Sequence, residues 1–143
     1  MADILHEFPI QAPPERVFDA VSTPGGIDQW WAKQSSGRPE PGAEYALGFG
    51  PGYDWIAQVT ACEPAKTFEL EMTKSDDDWN GSRVRFELAP HKGGTWVRFR
   101  HIGWPDANEH YRISNFCWAM YLRVMRRYLE HGEAVPYEER LDV

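Results

Sequence analysis

Apolar and polar residues alternate with period two in segment after segment of this chain, until one long stretch of helical period replaces them. Residues 67–73 put Phe68, Leu70 and Met72 on one face and Glu69 and Glu71 on the other. Residues 82–89 set Val84, Phe86 and Leu88 against Arg83, Arg85 and Glu87, and residues 95–102 set Val97, Phe99 and His101 against Arg98 and Arg100. Residues 3–11 repeat the pattern with Ile4, His6, Phe8 and Ile10, and residues 43–49 with Tyr45, Leu47 and Phe49. Residues 54–62 are strand-like, with either face eligible as the inner one. Turn signals separate these runs: Gly50-Pro51-Gly52, Glu63-Pro64-Ala65-Lys66, the acidic run Asp76–Asp78 followed by Asn80-Gly81, and Gly93-Gly94. One-sided alternation in short-linked strands predicts an antiparallel sheet, wet on one face and packed on the other. Such a sheet needs a cover.

The cover comes last. Nothing breaks a helix from about Glu109 to Glu130. Arg112, Asn115, Arg123, Arg126 and Arg127 share one face, and Tyr121 is near the centre of the other, flanked by Ser114, Cys117, Trp118, Met125 and Tyr128. The helix is about six turns and ~33 Å long, with Gly132 suited to end it. Near the start, Pro13 and Pro14 stop the first strand and open a short helix carrying Val17, Phe18 and Val21. Ser22 or Thr23 can cap a second one from Pro24, carrying Ile27, Trp30 and Trp31. Residues 133–143 are polar, contain a proline and read as an exposed tail. Strands in a run beside a terminal helix predict an α+β fold, and 143 residues predict one domain over 1–143.

Composition narrows the function classes. The net charge is −7, which disfavours phosphate backbones and anionic membranes as partners. No apolar run approaches the ~18–20 residues of a membrane span, and no leader-like start is present. Cys62 and Cys117 are far apart and form no disulfide framework, which fits a reducing, cytoplasmic setting. The five histidines and two cysteines show no metal-ligand spacing, and no cofactor-binding motif occurs, so neither metal nor cofactor is expected. Aromatic content is high: seven Trp, seven Phe and six Tyr. So many flat rings either fill a small core or line a cavity in it.

Here the sequence resembles a known family. Ala12-Pro13-Pro14-Glu15-Arg16-Val17-Phe18-Asp19-Ala20-Val21, followed by Trp30-Trp31, is similar to the opening of SRPBCC (START-like, helix-grip) proteins. The subgroup it most resembles is the one named for the activator of the heat-shock chaperone ATPase, which is polyketide cyclase-like. Gly94-Thr95-Trp96-Val97-Arg98-Phe99-Arg100-His101-Ile102-Gly103-Trp104 is similar to that subgroup's last strand, and Trp118, Leu122, Leu129 and Gly132 match its closing helix. The resemblance implies a curved antiparallel sheet of six or seven strands wrapped around the C-terminal helix, with a ligand cavity between them. One departure is Cys117, where the family usually has glycine; it adds bulk to the pocket.

On that implication, Trp30, Phe49, Trp55, Phe68, Phe86, Phe99, His101, Trp104, Cys117, Trp118 and Tyr121 are the expected cavity wall. His101 could hydrogen-bond a ligand or act as an acid or base, or be a core histidine satisfied by its neighbours. The Tyr121 hydroxyl needs a partner if buried, which a ligand, a water or the sheet could supply. Cys117 lacks a thiolate-favouring neighbour and reads as an inert thiol. The leading expectation is a binder of a small hydrophobic or amphipathic molecule: a lipid, polyketide or aromatic metabolite. The second is a cyclase, hydratase or hydrolase using His101, Tyr121 and Asp54. The third is an interaction module with a chaperone partner. A homodimer is compatible with each.

Overall fold

The computed structural model describes residues 1–143. Seven strands form one antiparallel sheet: β1 (Ala2–Ile10), β2 (Gln34–Ser36), β3 (Glu44–Gly48), β4 (Asp54–Glu63), β5 (Thr67–Lys74), β6 (Arg83–His91) and β7 (Gly94–Trp104). Their order is β1-β7-β6-β5-β4-β3-β2, so β2 to β7 run as a meander and β1 closes against the last strand. Two short helices, α1 (Pro14–Ser22) and α2 (Pro24–Ile27), follow β1, and α3 (Glu109–His131) follows β7. This is the helix-grip arrangement that the resemblance implies.

Local chemistry sets the element ends. Pro14 opens α1, where a missing N–H costs nothing, and Glu15 faces the positive end of its dipole. Thr23 Oγ1 accepts from Gly26 N at 3.1 Å and caps α2. That helix ends at Ile27, so Trp30 and Trp31 sit on the turn after it rather than on the helix itself. Asn108 caps α3 through Tyr111 N at 2.8 Å, and Gly132 ends it with φ +67°. The short edge strand β2 was not marked by any alternation, because three residues are too few to show it.

Register irregularities between Ile56 and Ala57 and between Val59 and Ala61 explain why β4 had two eligible faces. Each shift changes which residue points inward and bends the strand. Ala57 and Val59 end up buried. On the outer face, cross-strand partners carry opposite charges: Glu69 opposite Arg85, Glu71 opposite Arg83 and Glu87 opposite Arg98. Glu69 is buried beneath this layer, 3.2 Å from Arg85 and 3.5 Å from Arg83.

The inner face, α1, α2 and α3 share one core of 30 buried apolar residues. The C-terminal segment is a correction to the exposed-tail expectation. Most of its side chains do face solvent, but Tyr137–Asp142 forms a 3-10 turn and Arg140 is only 4% exposed. The Arg140 guanidinium donates to the carbonyls of Val135, Ala32 and Asp28 at 3.0, 3.2 and 2.7 Å. Tyr137 Oη donates to Phe49 O at 2.9 Å. A long side chain with five donors can tie down a polar segment whose apolar contact with the core is the partly buried Val135.

Candidate functional site

The space between sheet and α3 is occupied by rings in mutual contact. Phe86 and Phe99, opposite each other on β6 and β7, lie 5.3 Å apart between ring centres. Trp118 of α3 rests on Phe99 at 4.5 Å and on Trp31 at 5.1 Å. Trp30 meets Phe86 at 5.9 Å and Trp118 at 6.5 Å. From Trp31 the contacts continue through Phe49 and Trp55 to Trp79, and from there to His101 and Trp104. One network therefore contains most of the expected wall. Phe68 lies beside it, packed on Phe18 and Tyr45. None of the five main surface depressions is lined by Trp30, Phe86, Phe99 or Trp118. The largest of them, 560 Å³, lies against the second half of β6, among Pro14, Lys66, Leu88 and Trp96.

His101 is fully buried and uses both ring nitrogens. Nδ1 accepts from Trp118 Nε1 at 3.0 Å, so Nε2 carries the proton and donates to Ser82 Oγ at 2.7 Å. Ser82 Oγ in turn donates a hydrogen bond to Trp79 O at 2.5 Å. Burial, with a smaller contribution from nearby His110, lowers the His101 pKa from 6.5 to about 3. The imidazole is a neutral strut at neutral pH.

Tyr121 lies in the middle of a wide buried arc of α3 that runs from Met120 and Val124 to Trp118 and Leu122. It is itself only partly buried. Its hydroxyl makes no hydrogen bond, and burial, aided by Tyr137 and Cys117, raises its pKa to about 12. Cys117 is half-buried on the same side, and burial raises its thiol pKa. Asp54 is the first residue of β4 and is exposed.

Sequence reasoning missed Trp79. It lies in the acidic connection between β5 and β6, which reads as a solvated loop, yet it is 6% exposed. Nothing in the local pattern marks it except that it is a tryptophan among aspartates. It brings polar neighbours with it. His110 Nδ1 is 2.8 and 2.9 Å from the two Asp78 carboxylate oxygens, and Asn108 Nδ2 donates to Asp78 at 3.4 Å. The Nε1 atoms of Trp79 and Trp104 are buried without a hydrogen-bond partner in the protein. No group of three or more His, Cys, Asp or Glu side chains is arranged to hold a metal ion, and no helix is long and apolar enough to cross a membrane.

A family model described as Activator of Hsp90 ATPase homolog 1-like protein matches residues 11–130. The chain is similar to the solution structure of the Aha1 dimer from Colwellia psychrerythraea, with 29% identity and a TM-score of 0.84 over 93% of this chain and 99% of that one. It is similar in fold to CalU16 from Micromonospora echinospora, with 20% identity and a TM-score of 0.72 over 98% and 83% of the two chains. DynU16, from the dynemicin biosynthetic locus, shares the fold at 21% identity and a TM-score of 0.75, over 92% of this chain and 48% of that one. No protein of curated function matches the sequence.

Proposed function

The chain belongs to the Activator of Hsp90 ATPase homolog 1-like family, and on that premise we propose that it binds a small hydrophobic or amphipathic ligand, a lipid, polyketide or aromatic metabolite, between the sheet and α3. The observation that carries this reading is the pair of buried indole N–H groups, on Trp79 and Trp104, set without acceptors in an otherwise apolar ring network. Ligand sites combine apolar walls with a few placed polar groups, and buried donors in proteins are normally paired. Phe49, Trp55, Cys117 and Tyr121, only partly buried, form the accessible part of the wall; Trp30, Phe86, Phe99, His101, Trp104 and Trp118 form its depth, with Phe68 behind them. Tyr121, whose hydroxyl is unpaired, would orient the ligand's polar end. His101 holds Trp118 and Ser82 in place. Because it stays neutral down to about pH 3, it is a poor proton donor at neutral pH, which favours binding over acid–base turnover. Native mass spectrometry of freshly purified protein tests the reading. An added mass that leaves on denaturation supports it. Protein that carries none, and takes up none from a hydrophobic metabolite extract, overturns it.

Self-association is a second, compatible reading. Ile113 and Phe116 are 52% and 78% exposed, one turn apart on α3. Large apolar side chains grouped on a surface mark contact sites, and the 29% identical Aha1 is a dimer. Light scattering should find a dimer that Phe116→Asp dissociates; a monomer at all concentrations removes this reading.

A further inference from the structure

The Trp79 ring does not come from the sheet or from a helix. It is delivered by the β5–β6 connection into a box of five other rings. Trp118 lies nearly parallel on one side, at 6.0 Å and 20°, and His110 nearly parallel on another, at 6.4 Å and 27°. Trp55, His101 and Trp104 close the box at 4.9, 4.4 and 5.8 Å. Resting on the ligand-binding reading above, we infer that Trp79 is an internal occupant of the ligand site, and that the site takes a neutral, flat, bicyclic aromatic ligand with a carbonyl-type acceptor, which displaces it.

The shape of the box sets the ring size, because it already holds an indole. Its polar atoms set the acceptor. Trp104 is fully buried with its N–H unpaired, and the Trp79 N–H beside it is also unpaired. An indole that belonged permanently to the core would be expected to have a partner for such a donor. Trp79 fills the box by shape but brings a second donor where an acceptor is needed. Charge settles the rest. His101 is neutral, and the nearest charged groups are the carboxylates of Asp76 and Asp78 on His110. The other histidine of the box, His110, is already engaged by both carboxylates, so a buried anion would find no free cation there and a neutral carbonyl is the matching acceptor.

The way Trp79 is held suits displacement. The loop is fastened to the start of α3 by Asp78, through His110 and Asn108, at a partly exposed position. Contacts of that kind are weak because water competes for both partners. Trp79 N and Asn80 N both donate to Asp76 O, and Asn80 Oδ1 accepts from Ser75 N, so these bonds travel with the loop. Gly81, at φ +83° with open space around its Cα, sits at the rear hinge. The bonds that must break are the two that Trp79 O accepts from Ser82, from its Oγ, which links the loop to His101, and from its backbone N at 2.9 Å.

The test uses coumarin, a bicyclic lactone, with naphthalene as the control that lacks an acceptor. Wild-type protein carries 5-fluorotryptophan, and the Trp79 signal is assigned by its loss in Trp79→Phe. Saturating coumarin should move the Trp79 ¹⁹F resonance to the solvent-exposed position, and naphthalene should bind at least tenfold more weakly. Asp78→Ala, which frees the loop and replaces no ring residue, should bind coumarin about tenfold more tightly, since the competent state is more populated. Coumarin bound with the Trp79 resonance unmoved overturns the displacement while leaving the binding reading intact. Equal affinity for naphthalene overturns the acceptor. No bound coumarin in either protein overturns the ligand class, and the native mass measurement then decides the broader reading separately.

Discussion

At one end of the aromatic core, Trp30 gives its indole N–H to Ala20 O at 2.8 Å and Tyr45 gives its hydroxyl to Ser22 O at 2.5 Å. At the other end, the indoles of Trp79 and Trp104 are also buried and give theirs to nothing in the protein. All four are aromatic side chains with a hydrogen-bond donor, and all are buried. What differs is the backbone nearby. The first end lies against α1, whose last carbonyls have no intrahelical partner and so can accept from side chains. The second end lies under a loop whose carbonyls are turned to its own N–H groups and to Ser82. A paired end is a structural joint. An unpaired end has donors to offer.

The largest expected effect separates the two by size alone. Trp30→Ala should cost about 3–5 kcal/mol, because paired rings on every side prevent the site from collapsing. Trp79→Ala, on a loop free to relax, should cost less than half as much. Urea denaturation of both measures this, and equal losses would erase the distinction between the ends.

The second effect belongs to His101, between the ends. The unfolded chain protonates this histidine below about pH 6.5, the folded one only below about pH 3. Between those values the unfolded state holds the extra proton, so this contribution is whole above pH 6.5 and is lost as pH falls, by about 1.4 kcal/mol per unit. Denaturation at steps from pH 7 to 4 should show that slope, and His101→Gln should reduce it by one proton. An unchanged slope would mean that His101 is accessible to protons in the folded state.

Next comes the C-terminal turn, which braces the paired end from outside. Arg140→Met removes donors from Asp28 O and Ala32 O, which flank Trp30 and Trp31. The expected cost is about 1.5–3 kcal/mol, with earlier proteolysis after residue 132. A neutral result would make the turn a passive appendage.

The smallest effect is the sharpest. Benzothienylalanine has the shape of tryptophan without the N–H. At position 30 it should cost about 1 kcal/mol, the worth of one hydrogen bond. At position 104 it should be neutral or stabilising, since an unpaired donor is removed. Equal costs at both positions would show that Trp104 has a partner after all.

Much of this architecture was legible in the chain. Alternation at Phe68, Val84, Phe86, Val97 and Phe99 named the inner face, because a side-chain period of two allows no other choice once one face is wet. The long helix, its glycine end and the two short helices followed from helical period and from proline and threonine placement. The candidate rings were also legible as a set. Trp79 was not, because a single ring among Asp76, Asp77, Asp78 and Asn80 has no period to place it. Arg140 was not, because a charged residue in a polar segment gives no sign of the carbonyls it will meet.

The sequence by itself determined the inner and outer faces of the strands that alternate cleanly and the helix that covers them, since period is a local property that each segment carries alone, and the resemblance of its motifs implied the family. Only the tertiary structure decided which ring fills the space under α3, which nitrogens of His101 are engaged and which indoles are left unpaired. Those depend on residues far apart in the chain: Trp79 with Trp118, Ser82 with His101, Arg140 with Asp28. A hydrogen bond is made or missed by the last ångström of their approach.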